Sequence, residues 1–118
     1  MAHNTELGRR GEALAVTHLE ARGMQVIDRN WRCRLGEIDI VARDGSDTVF
    51  VEVKTRTSAD FGHPFEAITP VKLARMRRLA VAWCVQSEEP VGRIRIDAVA
   101  VLAPVEAPPL VEHLEGLS

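Results

Sequence analysis

Residues 36–56 read GEIDIVARDGSDTVFVEVKTR, two β-strand patterns joined by a tight turn. From Gly36 to Arg43 the residues alternate, which predicts Ile38, Ile40 and Ala42 on one face and Glu37, Asp39 and Val41 on the other. Asp44 and Gly45 form the turn signal, because glycine tolerates a positive φ. From Val49 to Lys54 the alternation resumes, with Val49, Val51 and Val53 facing one way and Phe50, Glu52 and Lys54 the other. A hairpin with this turn is expected to carry Asp39 close to Glu52 and Lys54. Two carboxylates and a lysine then meet on an otherwise apolar sheet.

Such a trio has a chemical use. Two carboxylates suit a hard divalent cation, Mg²⁺ (or Mn²⁺), which prefers oxygen ligands. A metal held there polarises a phosphoryl oxygen and lowers the pKa of a bound water. A lysine beside it orients that water or offsets transition-state charge. The same residues also fit an ordinary ion pair of Lys54 with Glu52 or Asp39 on a solvated face, worth little. Spacing alone leaves both readings open.

The 118-residue chain is the size of one domain with a sizeable core. Hydrophobic content of 46% with 27% charged residues is that of an ordinary globule. A net charge of −2 does not advertise nucleic-acid binding, but it averages over unlike regions. Lys72, Arg75, Arg77 and Arg78 lie in a stretch without acids, whereas the chain after Asp97 carries only acids. Cys33 and Cys84 are too few for a disulfide framework and lack metal-site spacing. The sequence does not open with a secretory leader pattern, and no apolar run is long enough for a bilayer. A reduced cytoplasmic setting with no membrane partner is therefore expected.

Outward from the hairpin, Asn4 or Thr5 is a candidate cap for a helix reaching about Arg22, with Leu7, Gly11, Leu14, Ala15 and Leu19 on its apolar face. Gly23 is its natural stop. Glu12 borders the apolar face and points toward a sheet edge, or else is a solvated flank residue. Met24 to Asn30 reads as a strand, followed by polar residues around Trp31. Trp31, among Arg29, Arg32 and Arg34, fits stacking on a base or burial in the core. Thr55 to Ala67 reads as a long loop, in which His63 is weak evidence for a general base. Thr69-Pro70 starts a second helix running to about Gln86, with Met76, Leu79 and Trp83 as its buried stripe. Lys72 falls on that stripe, so its ammonium must snorkel out or meet a carboxylate. Arg75 and Arg78 point to the polar side, as a phosphate-contacting or merely solvated face. Arg93 to Leu102 is a further strand, and the prolines from Pro104 lead into a tail of uncertain structure. The expected organisation is one domain over 1–103 with a C-terminal tail over 104–118, built as an α/β fold in the order αβββαβ, its mixed sheet flanked by helices.

This order, with Glu12, the GEID segment ending in Asp39, and Glu52-Val53-Lys54, resembles the PD-(D/E)xK nuclease superfamily, the restriction-endonuclease-like fold. More closely, Gly11-Glu12, Asn30-Trp31-Arg32, GEIDIVARD, VFVEVKTR, Phe61-Gly62-His63-Pro64, Glu66-Ala67 and Lys72 resemble the YraN family of bacterial proteins, over about residues 5 to 102.

The resemblance implies a metal-dependent endonuclease acting on DNA phosphodiesters, similar to Holliday-junction resolvases. It implies that Asp39 and Glu52 bind the metal, that Lys54 assists the attacking water, and that Glu12 is the first-helix glutamate of resolvase-like members. The superfamily often has Pro before the Asp, where this chain has Ile38; that position varies in resolvase-like members. Lys72, Arg75 and Arg78, with Arg32 and Arg34, are the expected nucleic-acid contacts, and a homodimer would let two sites face a junction. The competing readings are a nucleic-acid-binding module that does not cut and a protein-interaction domain with a structural acidic cluster.

Overall fold

The 36–56 stretch forms the expected hairpin at the middle of a five-stranded sheet. The computed structural model describes residues 5–117 apart from Ala59 and Phe61. The candidate cap Asn4 and Phe61 of the Phe61-Pro64 segment lie outside the described residues. The elements are α1 (Thr5–Ala21), β1 (Gln25–Cys33), β2 (Gly36–Asp44), β3 (Asp47–Arg56), α2 (Pro70–Gln86), β4 (Ile94–Leu102) and β5 (Leu110–Leu114). The strands are ordered β1-β2-β3-β4-β5, antiparallel except for the β3–β4 pair, which is parallel across the α2 crossover. The protein is thus mixed α/β, its sheet flanked by helices.

Each helix covers one face. Ala15 and Leu19 of α1 pack with Ile40, Ala42, Val49, Val51, Val99 and Val101. Leu79, Ala80 and Trp83 of α2 pack with Ile38, Val41 and Phe50. The split follows the period-two alternation of β3. Helix α1 ends as its sequence suggests: Gly23 N–H donates to Glu20 and Met24 N–H to Leu19, the paired bonds of a Schellman motif. Helix α2 starts on Thr69, whose hydroxyl accepts Lys72 N–H at 3.2 Å, with Pro70 in the first turn. No described helix is long and apolar enough to cross a membrane.

Four details differ from the sequence reading. The hairpin turns on Gly45-Ser46, because Asp44 still pairs with Asp47; Gly45 takes the positive φ of 61°. β1 runs on through Trp31 and Arg32 to Cys33, paired with β2, with a bulge between Val26 and Asp28 and a positive φ of 53° at Asn30. Trp31 is half-buried against the α2-side cluster, as core rather than as a stacking platform. Ile38 does not share the face of Ile40 and Ala42 but packs beneath α2 with Val41 and Phe50. The alternation breaks at Asp39, where the β2–β3 ladder has just ended at the Ile40–Val51 pair. Finally, residues 104–109 lead into β5, which adds an antiparallel edge to β4.

Candidate functional site

The break at Asp39 creates the site. Beyond the Ile40–Val51 pair, the Asp39 carboxylate accepts the backbone N–H of Val53 at 2.8 Å. A side chain thus takes the place of the missing ladder acceptor and holds the strands together at that end. Asp39 lines a cleft of about 660 Å³ with Glu12, Glu37, Arg32 and Thr55. Burial, then the charge of Glu52, pushes its pKa up to about 7; Glu37 and Glu12 add to the rise, and the Val53 N–H opposes it.

Glu12 reaches the cleft because α1 lies unusually close to β3. Gly11 sits over Thr55, where a Cβ would fall 2.8 Å from Thr55 Cβ and closer still to its hydroxyl. That contact leaves the Glu12 side chain only 12% exposed. Arg29 at 3.0 Å and the Asn30 side-chain amide at 2.9 Å both contact its Oε1. Asn30 makes this bond from the left-handed region, which asparagine tolerates better than most residues. Glu12 is therefore not a solvated flank residue.

Glu52 and Lys54 emerge on the α2 side of β3. Lys54 Nζ lies 3.1 Å from Glu52 Oε2, and Lys72 Nζ of α2 lies 3.5 Å from the same oxygen. Lys72 meets a carboxylate, as its position on the buried stripe requires. The neighbouring Lys54 ammonium, with burial, holds the Lys72 pKa below the usual lysine range. Among the described residues Asp39 makes no ion pair: its hydrogen bond is to a backbone N–H, not to Lys54. The structure thus brings Asp39 within charge range of Glu12 and Glu52, and Glu52 into contact with Lys54 and Lys72. It does not gather Glu12, Asp39 and Glu52 into a closed ligand set, since Glu12 is turned to Arg29 and Glu52 to the lysines.

The family described as "Uncharacterised protein family UPF0102" matches residues 11–101, which include Glu12, Asp39, Glu52, Lys54 and Lys72. A UPF0102 protein of Leifsonia xyli subsp. xyli is 55% identical over 117 residues, 99% of each chain. One from Arthrobacter sp. (strain FB24) is 57% identical over 111 residues, 94% of each, and one from Streptomyces griseus subsp. griseus is 56% identical over 113 residues, 95% of each. The chain belongs to the UPF0102 family. YraN is that same family, so the resemblance read from the sequence holds at that level.

In this UPF0102 chain the expected nucleic-acid contacts are dispersed. Arg32 lines the cleft and pairs with Glu37 at 3.1 Å. Arg34 is exposed in the β1–β2 turn. Arg75 and Arg78 are exposed on α2 and do not line the cleft; Arg9 and Arg56 do. His63 has a structural task. Its Nδ1 accepts Phe65 N–H, capping a short 3₁₀ turn (Pro64–Ala67), and its Nε2 lies 2.8 Å from Glu112 of β5.

A second charged cluster of the UPF0102 chain was not legible in its sequence. Ligand atoms of Asp97, His113 and Glu115 lie within 4.8 Å of one another, close enough to share a metal ion. The Asp97 oxygens are already engaged. Arg95 grips both Asp97 oxygens at 3.0 Å, His113 Nε2 lies 2.8 Å from one, and Gly116 N–H donates to the other. Burial pushes the Asp97 carboxyl up, but the bonds from His113, Arg95 and Gly116 outweigh it and hold the pKa below the usual range. A cation there would face the Arg95 guanidinium, so the cluster reads as a buried ion-pair network tying β5 to β4. Sequence reasoning did not foresee that Asn30 and Arg29 hold Glu12, or that Glu37 shares the cleft with Asp39. The one signal for Asn30 is a poor strand former within a strand.

Proposed function

We propose that the cleft at Asp39 is a divalent-metal site for hydrolysis of DNA phosphodiesters, on a restriction-endonuclease-like core of the PD-(D/E)xK kind. The observation that carries this is Asp39 itself. Its carboxylate is half-buried within charge range of Glu12, Glu37 and Glu52, makes no ion pair among the described residues, and has its pKa raised to about 7. Perturbed carboxylates in clefts mark functional sites. The donor set fits the group: Asp39, Glu52 and Glu12 offer carboxylate oxygens only, as Mg²⁺ or Mn²⁺ prefers.

In this reading Asp39 and Glu52 would hold the ion, with Glu12 of α1 as a further carboxylate that could reach it. The ion supplies Lewis-acid polarisation of a phosphoryl oxygen and a more acidic bound water. Lys54 hydrogen-bonds and orients the attacking water, and its charge offsets that of the pentacoordinate transition state. Arg9, Arg32 and Arg56 on the cleft wall, and Arg34, Lys72, Arg75 and Arg78 farther out, contact phosphates and so position the duplex without reading its sequence. A symmetric dimer would set two clefts against a branched junction. Cys33 and Cys84 are free thiols, which supports a cytoplasmic setting.

A second reading, a nucleic-acid-binding module that does not cut, is favoured by one observation: Glu12 and Glu52 are already neutralised by Arg29, Lys54 and Lys72. Incubating linear and four-way DNA with Mn²⁺ separates the two. Hydrolysis that disappears in Glu52→Gln and Lys54→Met supports the nuclease. Salt-sensitive binding with no hydrolysis supports the binding module.

A further inference from the structure

We propose that Lys72 is an exchangeable counter-ion: it holds the place of a divalent ion at Glu52 and moves to a substrate phosphate when that ion binds. The inference rests on the metal-site reading above.

Two ammonium groups on one carboxylate oxygen are an unusual arrangement, because like charges that close repel. Lys54 and Lys72 nonetheless both approach Glu52 Oε2, at 3.1 and 3.5 Å. Four carboxylates explain why this is tolerated: the charges of Glu12, Glu37 and Glu52 all act on Asp39. Arg29 pairs with Glu12, Arg32 with Glu37 and Lys54 with Glu52, whereas among the described residues Asp39 makes no ion pair of its own. Lys72 brings a second positive charge to this group of acids, through Glu52.

With Lys72 counted the four acids face four cations, so a divalent ion at Asp39 and Glu52 would leave an excess of positive charge that favours the departure of one cation. Lys72 is the one held less tightly. It is farther from the oxygen than Lys54, and its side chain is 34% exposed against 18%. It sits in the first turn of α2, its backbone N–H held by the Thr69 cap and its ammonium at the end of a flexible four-carbon stem. Lys54 is fixed inside β3. A released lysine at the edge of an ion-loaded site is a mobile point charge, suited to a phosphate oxygen. Lys72 is in this sense a positioning residue.

The test uses the full chain and Mn²⁺ alone, by calorimetry, without nucleic acid. Lys72→Met should bind Mn²⁺ at least about five-fold tighter than wild type, because no lysine competes for Glu52. Lys72→Arg, which keeps the charge, should bind as wild type does and guards against a folding defect. Duplex binding is then measured with and without Ca²⁺, which also takes oxygen ligands. The salt slope of wild type should steepen with Ca²⁺ by about one more counter-ion than that of Lys72→Met. Mn²⁺ binding by wild type with Lys72→Met no tighter, or equal slope changes, overturns the exchange and leaves the metal site standing. Absence of Mn²⁺ binding by wild type and by both variants overturns the site and the exchange together.

Discussion

The carboxylate of Asp39 accepts the backbone N–H of Val53 at 2.8 Å, where the β2–β3 ladder gives out. One hydrogen bond thereby fixes both the splay of the two strands and the position of the acid in the cleft. It also holds a carboxylate where its neighbours oppose its ionisation, which gives the folded protein an unusual dependence on pH.

Asp39 has a folded pKa of about 7 against an ordinary 3.8. Between these values the folded state binds more protons at this group than the unfolded state does. Stability contributed by the protonated form is therefore lost as pH rises from about 4 to about 7. Asp39→Asn keeps an acceptor for Val53 N–H and removes the charge. At pH 8 without metal it should melt above wild type, and the gap should close near pH 4. Each pKa unit relieved is worth about 1.4 kcal/mol. Melting curves across pH check this; a variant that melts below wild type at pH 8 contradicts it.

Gly11→Ala tests how α1 delivers Glu12. Its Cβ would overlap Thr55, a stiff β-branched residue of the central strand. The expected cost is about 1–3 kcal/mol, that of overpacking. Gly8→Ala on the same helix, where a Cβ meets nothing, should be neutral or stabilising. Equal stabilities of the two variants in urea denaturation would show that α1 does not depend on this contact.

Asp97→Asn should be severely destabilising, by about 3–5 kcal/mol, because it strands the Arg95 guanidinium in a buried site. The folded pKa of Asp97 lies below its ordinary value, so its contribution is present above about pH 4 and fades as pH falls through the folded pKa. Mn²⁺ should not alter the chemical shifts of His113. Selective broadening of His113 resonances by Mn²⁺ would contradict the ion-pair assignment and make this cluster a metal site.

His63→Ala should cost about 1 kcal/mol, the worth of a helix cap, and loosen the 3₁₀ turn from β5. Any hydrolytic activity should persist. Loss of turnover in a variant of near-native stability would instead give His63 a part in the chemistry.

The hairpin was legible because its signals are local: alternating Val49, Val51 and Val53, a glycine turn, and Thr69-Pro70 opening α2. The neighbourhood of Asp39, Glu52 and Lys54 followed from that pairing, and Lys72 had to find a carboxylate because it lay on a buried stripe. What stayed hidden depends on contacts between distant elements. Ile38 changes face because the ladder ends at Ile40, and no period in the sequence announces that end. Glu12 is largely withdrawn from solvent because Gly11 meets Thr55, a contact between α1 and β3. β5 is short and follows a proline-rich stretch, so its pairing with β4 outweighs weak local preference. Arg95, Asp97 and His113 look like separate surface charges until β4 and β5 bring them together.

The central claim is that the charge deficit around Asp39 is a place for a divalent ion, and thermal unfolding with and without Mn²⁺ tests it most directly. An ion bound only by the folded state raises stability by about 2.7 kcal/mol at a hundred times its dissociation constant. The account predicts that millimolar Mn²⁺ raises the melting temperature of wild type by several degrees and that of Asp39→Asn by much less, the metal-free variant being at least as stable as wild type. A wild type indifferent to Mn²⁺, together with a destabilised Asp39→Asn, would contradict it.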